Sequence, residues 1–147
     1  MITCPPNAYV ECPDPYTPDE LGYATATDLC DDVLDITYVD VSDDLTCPET
    51  ITRTWTATDD CGNTATCDQI ITLDDDTAPV ITCPGDAYVE CPDPYTPDDL
   101  GYATATDICD DVVDITYNDV SDGLTCPETI TRTWTATDDC GNTATCD

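Results

Sequence analysis

The sequence predicts an all-β chain of two tandem, antiparallel, disulfide-stapled sandwich modules, and three observations carry that expectation. Residues 80–147 repeat residues 1–68 with a period of 79: eight differences in 68 aligned positions leave 60 identities. Residues 51–58 (ITRTWTAT) alternate strictly, with four threonines on one face and Ile51, Arg53, Trp55 and Ala57 on the other, the period-two pattern of a half-buried strand. Twelve cysteines in 147 residues approach the density of a disulfide scaffold, which places the chain in an oxidising, extracellular compartment.

Taken in order, residues 8–12, 23–27, 35–41, 51–58 and 64–73 alternate or are rich in β-branched side chains. Each is bounded by Pro, Gly or Asp clusters. No stretch carries a useful helical period. Five to seven short strands in one 79-residue period read as a Greek-key sandwich of immunoglobulin-like type. The module boundaries fall at 1–76 and 77–147, the second copy lacking the counterpart of residues 69–79. The 147 residues are therefore expected to be a window on a longer array. Residues 12–19 (CPDPYTPD) are punctuated by prolines and read as a rigid, extended surface connection.

Every cysteine recurs after 79 residues, and six per module allow 15 pairings. In a sandwich of this type the second strand and the long alternating strand end at the same pole, and both end in the same phrase, Thr-Ala-Thr-Asp-x-Cys. That favours bridges Cys30–Cys61 and Cys109–Cys140. Cys4–Cys67 and Cys12–Cys47 are the next choices, with Cys83, Cys146, Cys91 and Cys126 following by the repeat. With no CxxC spacing and no histidine, a zinc ribbon is not expected.

Thirty-three acidic side chains against two arginines give a formal charge of −31, far beyond what is comfortable for small domains. The acids collect where loops meet. One pole of the second module gathers Asp107, Asp110, Asp138, Asp139 and the amide of Asn142, and the linker before it reads Asp74-Asp75-Asp76. The first module repeats the loops as Asp28, Asp31, Asp59, Asp60 and Asn63. Crowded carboxylates repel or protonate unless a cation joins them. Hard oxygen donors on loosely spaced loops favour calcium, which accepts six to eight oxygens, over magnesium. Calcium is the one cofactor expected.

Other features have plainer readings. Asp40, Ser42, Asp43 and Asp44 read as a solvated turn, and Tyr16, Tyr23 and Tyr38 as packing aromatics. Arg53 is expected to stack on an aromatic ring and bond a carboxylate. The threonine row raises ice binding as a minor possibility. Without histidine or lysine there is no imidazole relay, no Schiff base and no phosphate-binding lysine, and two cations make no footprint for nucleic acid or anionic lipid. No enzyme activity and no membrane insertion are expected, and no residue is nominated as catalytic.

The phrase TWTATDDCGNTATC at residues 54–67, followed by DTAPVITCP at 76–84, resembles the hyalin-repeat family and its bacterial relatives over the whole period. That resemblance implies an immunoglobulin-like sandwich in tandem arrays on large secreted or surface proteins, especially of the Bacteroidetes, serving adhesion or as a spacer. The expectation is an extracellular structural repeat whose partners are further copies of itself, forming a stiff, calcium-bridged stalk or filament. The alternative is an adhesin module for glycan or protein.

Overall fold

The computed structural model describes all residues except 31–33, 91–92 and 126. It is all-β, with two single helical turns, and divides into two compact units, Met1–Asp75 and Asp76–Asp147.

In the first unit β1 (Ile2–Thr3) pairs with β3 (Thr25–Ala26). A second, four-stranded sheet has the order β2 (Ala8–Glu11), β6 (Thr64–Asp74), β5 (Glu49–Thr58), β4 (Asp35–Ser42). The alternation of residues 51–58 is realised as expected: Ile51, Arg53, Trp55 and Ala57 are buried, and the threonines between them are half-exposed. Val10, Ile51 and Ile71 form the core, with Ala8, Leu21 and Leu73 packed against it. Burial of each such aliphatic side chain is worth about 1.5–3 kcal/mol. This core is small, and the Cys4–Cys67 disulfide supplements it by closing β1 onto β6.

Two details depart from the sequence reading. Strand β2 runs parallel to β6, Ala8 opposite Ile71 and Glu11 opposite Asp74, rather than antiparallel. A parallel pair needs a long connection, and here most of the module lies between the two strands. The proline-punctuated segment also ends in a helical turn, α1 (Pro18–Leu21), instead of staying extended. Proline suits the first helical position because its missing N–H would have no partner there. Gly22, at φ 92°, ends the turn and its N–H donates to the Pro18 carbonyl.

The second unit repeats this plan. Strand β7 (Val80–Thr82) pairs with β8 (Thr104–Thr106), α2 (Pro97–Leu100) repeats the helical turn, and β9 (Asp114–Ser121), β10 (Ile130–Thr137) and β11 (Thr143–Cys146) form a sheet. Residues 87–90, the copy of β2, form no strand. The partners of β2 are Ile71–Asp74, and the 147 residues hold no second copy of them.

Candidate functional site

Adjacent strands position a cation in each unit, the buried Arg53 in the first and the half-buried Arg132 in the second. Arg53 lies opposite Asp40 and Trp55 opposite Tyr38 across the β4–β5 ladder. The Arg53 Nε and Nη2 donate to the two Asp40 oxygens, both at 2.8 Å, and the guanidinium carbon lies 4.7 Å from the centre of the Tyr38 ring. The Asp40 carboxylate raises the Arg53 pKa further above its ordinary value. Asp40 is thus a strand residue committed to an ion pair, not part of the solvated turn the sequence suggested. Arg132, Asp119 and Tyr117 repeat the arrangement, with bonds of 2.7 and 2.8 Å, and Arg132 holds the Asp119 carboxyl below its usual range. Tyr23 and Tyr38 flank Trp55 at 6.0 and 5.1 Å between ring centres, as packing aromatics.

The remaining acids organise turns. Asp43 accepts from the Thr50 and Leu45 N–H groups, which lowers its pKa, and the neighbouring Asp44 holds φ 59°. Its counterpart is Gly123, at φ 74°: Asp and Gly both tolerate the left-handed conformation that the turn requires.

At one pole of the first unit the structure brings Asp28, Asp59 and Asn63 to one shallow cavity of about 90 Å³, beside Met1 and Leu34. The Asp59 Oδ1 accepts from the N–H groups of Cys61 and Asn63, at 3.0 and 2.7 Å, and Oδ2 from the Asn63 side-chain amide at 2.7 Å. The Asn63 side chain foremost, then the backbone donors, lower the Asp59 pKa. The Asp28 carboxylate accepts from the Cys30 N–H at 2.8 Å. Asp60 is exposed; Asp31 lies outside the described residues.

The second unit reuses the same bonds. Asp138 holds the N–H and side-chain amide of Asn142, and Asp107 caps Cys109 and Asp110. Asp110 accepts from the Asp139 N–H at 2.9 Å, tying the two acidic loops of this unit together. In the linker, Asp74 accepts the Tyr9 hydroxyl at 2.5 Å and Asp75 is buried, while Asp76 is exposed. The sequence identified these acids but not their backbone capping. The Asp-x-Cys and Asp-x-Cys-Gly-Asn spacings are the signals for it, because an aspartate commonly bonds the N–H two residues on.

The cysteines divide unexpectedly. Cys4–Cys67 and Cys83–Cys146 are bridged, with Cα atoms 5.8 and 6.0 Å apart, and Cys12, Cys47, Cys109 and Cys140 are disulfide-bonded as well. Cys30 and Cys61, expected to bridge each other, are free and exposed. Each is the third residue of an Asx turn whose aspartate caps the cysteine N–H at a solvent-facing tip. Cys91 and Cys126 lie outside the described residues.

Among the described residues no helix is long and apolar enough to cross a membrane. No curated protein matches the chain. Residues 2–73, the whole of the first unit but for its ends, match the family of HYR-like domains with four cysteines; this stretch carries six, and residues 80–147 are its near-copy.

Proposed function

We propose that these 147 residues belong to an extracellular structural array of disulfide-stapled, HYR-like modules, in which calcium neutralises the acidic loops and stiffens a stalk or filament. One observation supports this most. The side-chain cations of the chain are Arg53 and Arg132, and each is already bonded to its own aspartate, Asp40 and Asp119. No side-chain cation remains for the loop and linker acids, so their neutralisation must come from solution. The ligand candidates are Asp28, Asp31, Asp59, Asp60 and Asn63 in the first module. In the second they are Asp107, Asp110, Asp138, Asp139 and Asn142, with Asp74, Asp75 and Asp76 in the linker. All offer oxygen, and the capped carboxylates keep further lone pairs, so the donor set suits a hard cation with a high coordination number.

The role is mechanical. Disulfides limit how far a module extends under load, and bound ions remove hinge freedom between modules. Small-angle X-ray scattering of the chain tests the reading: a rigid, more extended particle is expected in millimolar calcium, and a flexible one in chelator. Superimposable curves in the two conditions would overturn it.

A further inference from the structure

Three polar atoms inside the first unit have no hydrogen-bond partner among the described residues: Arg53 Nη1, Trp55 Nε1 and Gln69 Oε1. Their residues are 1%, 1% and 0% exposed. Arg53 lies directly opposite Gln69 in the β5–β6 ladder, and Trp55 is two residues along the same strand, so all three side chains stand on one face of the sheet. Buried donors and acceptors are nearly always bonded, because one left unpaired forfeits its hydration and gains nothing in return. Three orphans at neighbouring positions therefore need a common explanation.

The bonds already made fix which atom of each group is left over. Gln69 Nε2 donates to the Pro6 carbonyl at 2.9 Å; a flipped amide would set two acceptors against each other there, so Oε1 must find its donor elsewhere. Arg53 Nε and Nη2 are committed to the Asp40 carboxylate, which leaves Nη1 as the unused corner of the guanidinium. Although Arg53 and Gln69 face each other across the ladder, Nη1 and Oε1 do not bond directly. The second unit solves the problem differently: Arg132 Nη2 also reaches the Tyr95 carbonyl, and the arginine side chain is 15% exposed. Gln69 is the single glutamine of the chain, so none faces Arg132.

We propose that Arg53, Trp55 and Gln69 form a binding site for one resident water molecule, a structural ligand of the first unit. The water donates a hydrogen to Gln69 Oε1 and accepts from Arg53 Nη1 and Trp55 Nε1, about the number of bonds usual for a buried water. Two donors and one acceptor suit a neutral molecule that both gives and takes. The guanidinium opposes a cation there, and the Asp40 carboxylate and the Gln69 lone pairs oppose an anion. The Pro6 carbonyl, Gln69, the water, Arg53 and Asp40 then make one polar chain across the module, from the segment before β2 through β6 and β5 to the edge strand β4. The water is the link that ties the two halves of this chain together. The inference rests neither on calcium nor on the tandem array.

The test is a crystal structure of the 147-residue chain at a resolution that orders buried waters, grown with bromide in place of chloride and measured at the bromine absorption edge. The expected result is one peak within hydrogen-bonding distance of Arg53 Nη1, Trp55 Nε1 and Gln69 Oε1, with no anomalous signal. A direct bond between Arg53 and Gln69, an anomalous bromide peak at the site, or a peak that misses any of the three atoms would overturn the proposal. Nuclear magnetic resonance supplies the reading in solution. The Trp55 indole N–H should show a rotating-frame cross-peak to water opposite in sign to the diagonal, which marks a resident molecule and not proton exchange. A peak of the exchange sign, or none, would count against the site. Both measurements are made in chelator, so either result stands apart from the scattering experiment.

Discussion

Arg53 and Asp40 face each other across a strand pair and make two parallel bonds of 2.8 Å beneath a tyrosine ring, with only 2% of the arginine side chain exposed. Lysine cannot reproduce this fork or its stacking. Arg53→Lys is expected to cost about 2–3 kcal/mol, and Arg53→Met about 3 kcal/mol, because Asp40 is left partly buried without its cation. The Arg132 side chain is 15% exposed, so Arg132→Lys should cost roughly half as much as Arg53→Lys. Guanidinium unfolding of the three variants checks the order.

Asp59 holds a turn together through three bonds to Cys61 and Asn63. Asp59→Ala leaves the Cys61 N–H and the Asn63 N–H and side-chain amide without their acceptor and should lower the melting temperature of the first unit. Asp59→Asn keeps one carbonyl oxygen and should cost less. At Gly62, φ is 84° and an added Cβ would meet open space, so Gly62→Ala should cost about 1 kcal/mol through backbone strain alone. Thermal melts of the three variants in chelator separate bonding from that strain.

The Cys4–Cys67 bridge spans 63 residues. Replacing both cysteines by alanine removes a constraint on the unfolded chain worth about 4 kcal/mol for a loop of that length. Since the core of the unit is small, the double variant is expected to be largely unfolded at 37 °C, as loss of near-ultraviolet circular dichroism would report.

The pH dependence has two limbs. Asn63 beside Asp59, the Thr50 N–H at Asp43, the Leu124 N–H at Asp122 and Arg132 at Asp119 each lower a carboxyl below its ordinary value of 3.8. A lowered folded pKa gives stability that is complete above the unfolded value and is lost as pH falls through the folded one. Acid should therefore destabilise below about pH 4. Between pH 7 and that point, protonation relieves the repulsion of 31 net negative charges. In chelator the melting temperature should rise from pH 7 toward about pH 4.5 and then fall. A steady decline from pH 7 downward would contradict the first limb.

The fold was legible where a single period governs many residues. Ile51, Arg53, Trp55 and Ala57 announce one buried face, and the 79-residue repeat announces two units. What depends on tertiary placement was not legible: the parallel pairing of β2 with β6, the helical turn after Thr17, and the recruitment of Asp40 into an ion pair. Cys30 and Cys61 mislead for the same reason. Matching phrases show that two loops share a pole, as Asp28 and Asp59 do around one cavity, but not which sulfur each thiol meets.

A calcium titration of the melting temperature, at constant ionic strength and pH 7, tests the central claim most directly. Binding to the folded state alone stabilises by about 2.7 kcal/mol at a hundredfold excess over the dissociation constant, which for modules of this size is a rise on the order of 10–20 °C. The expected result is such a rise between chelator and millimolar calcium, with a smaller one in equal magnesium. An unchanged melting temperature in millimolar calcium would show that the charge is tolerated without the ion.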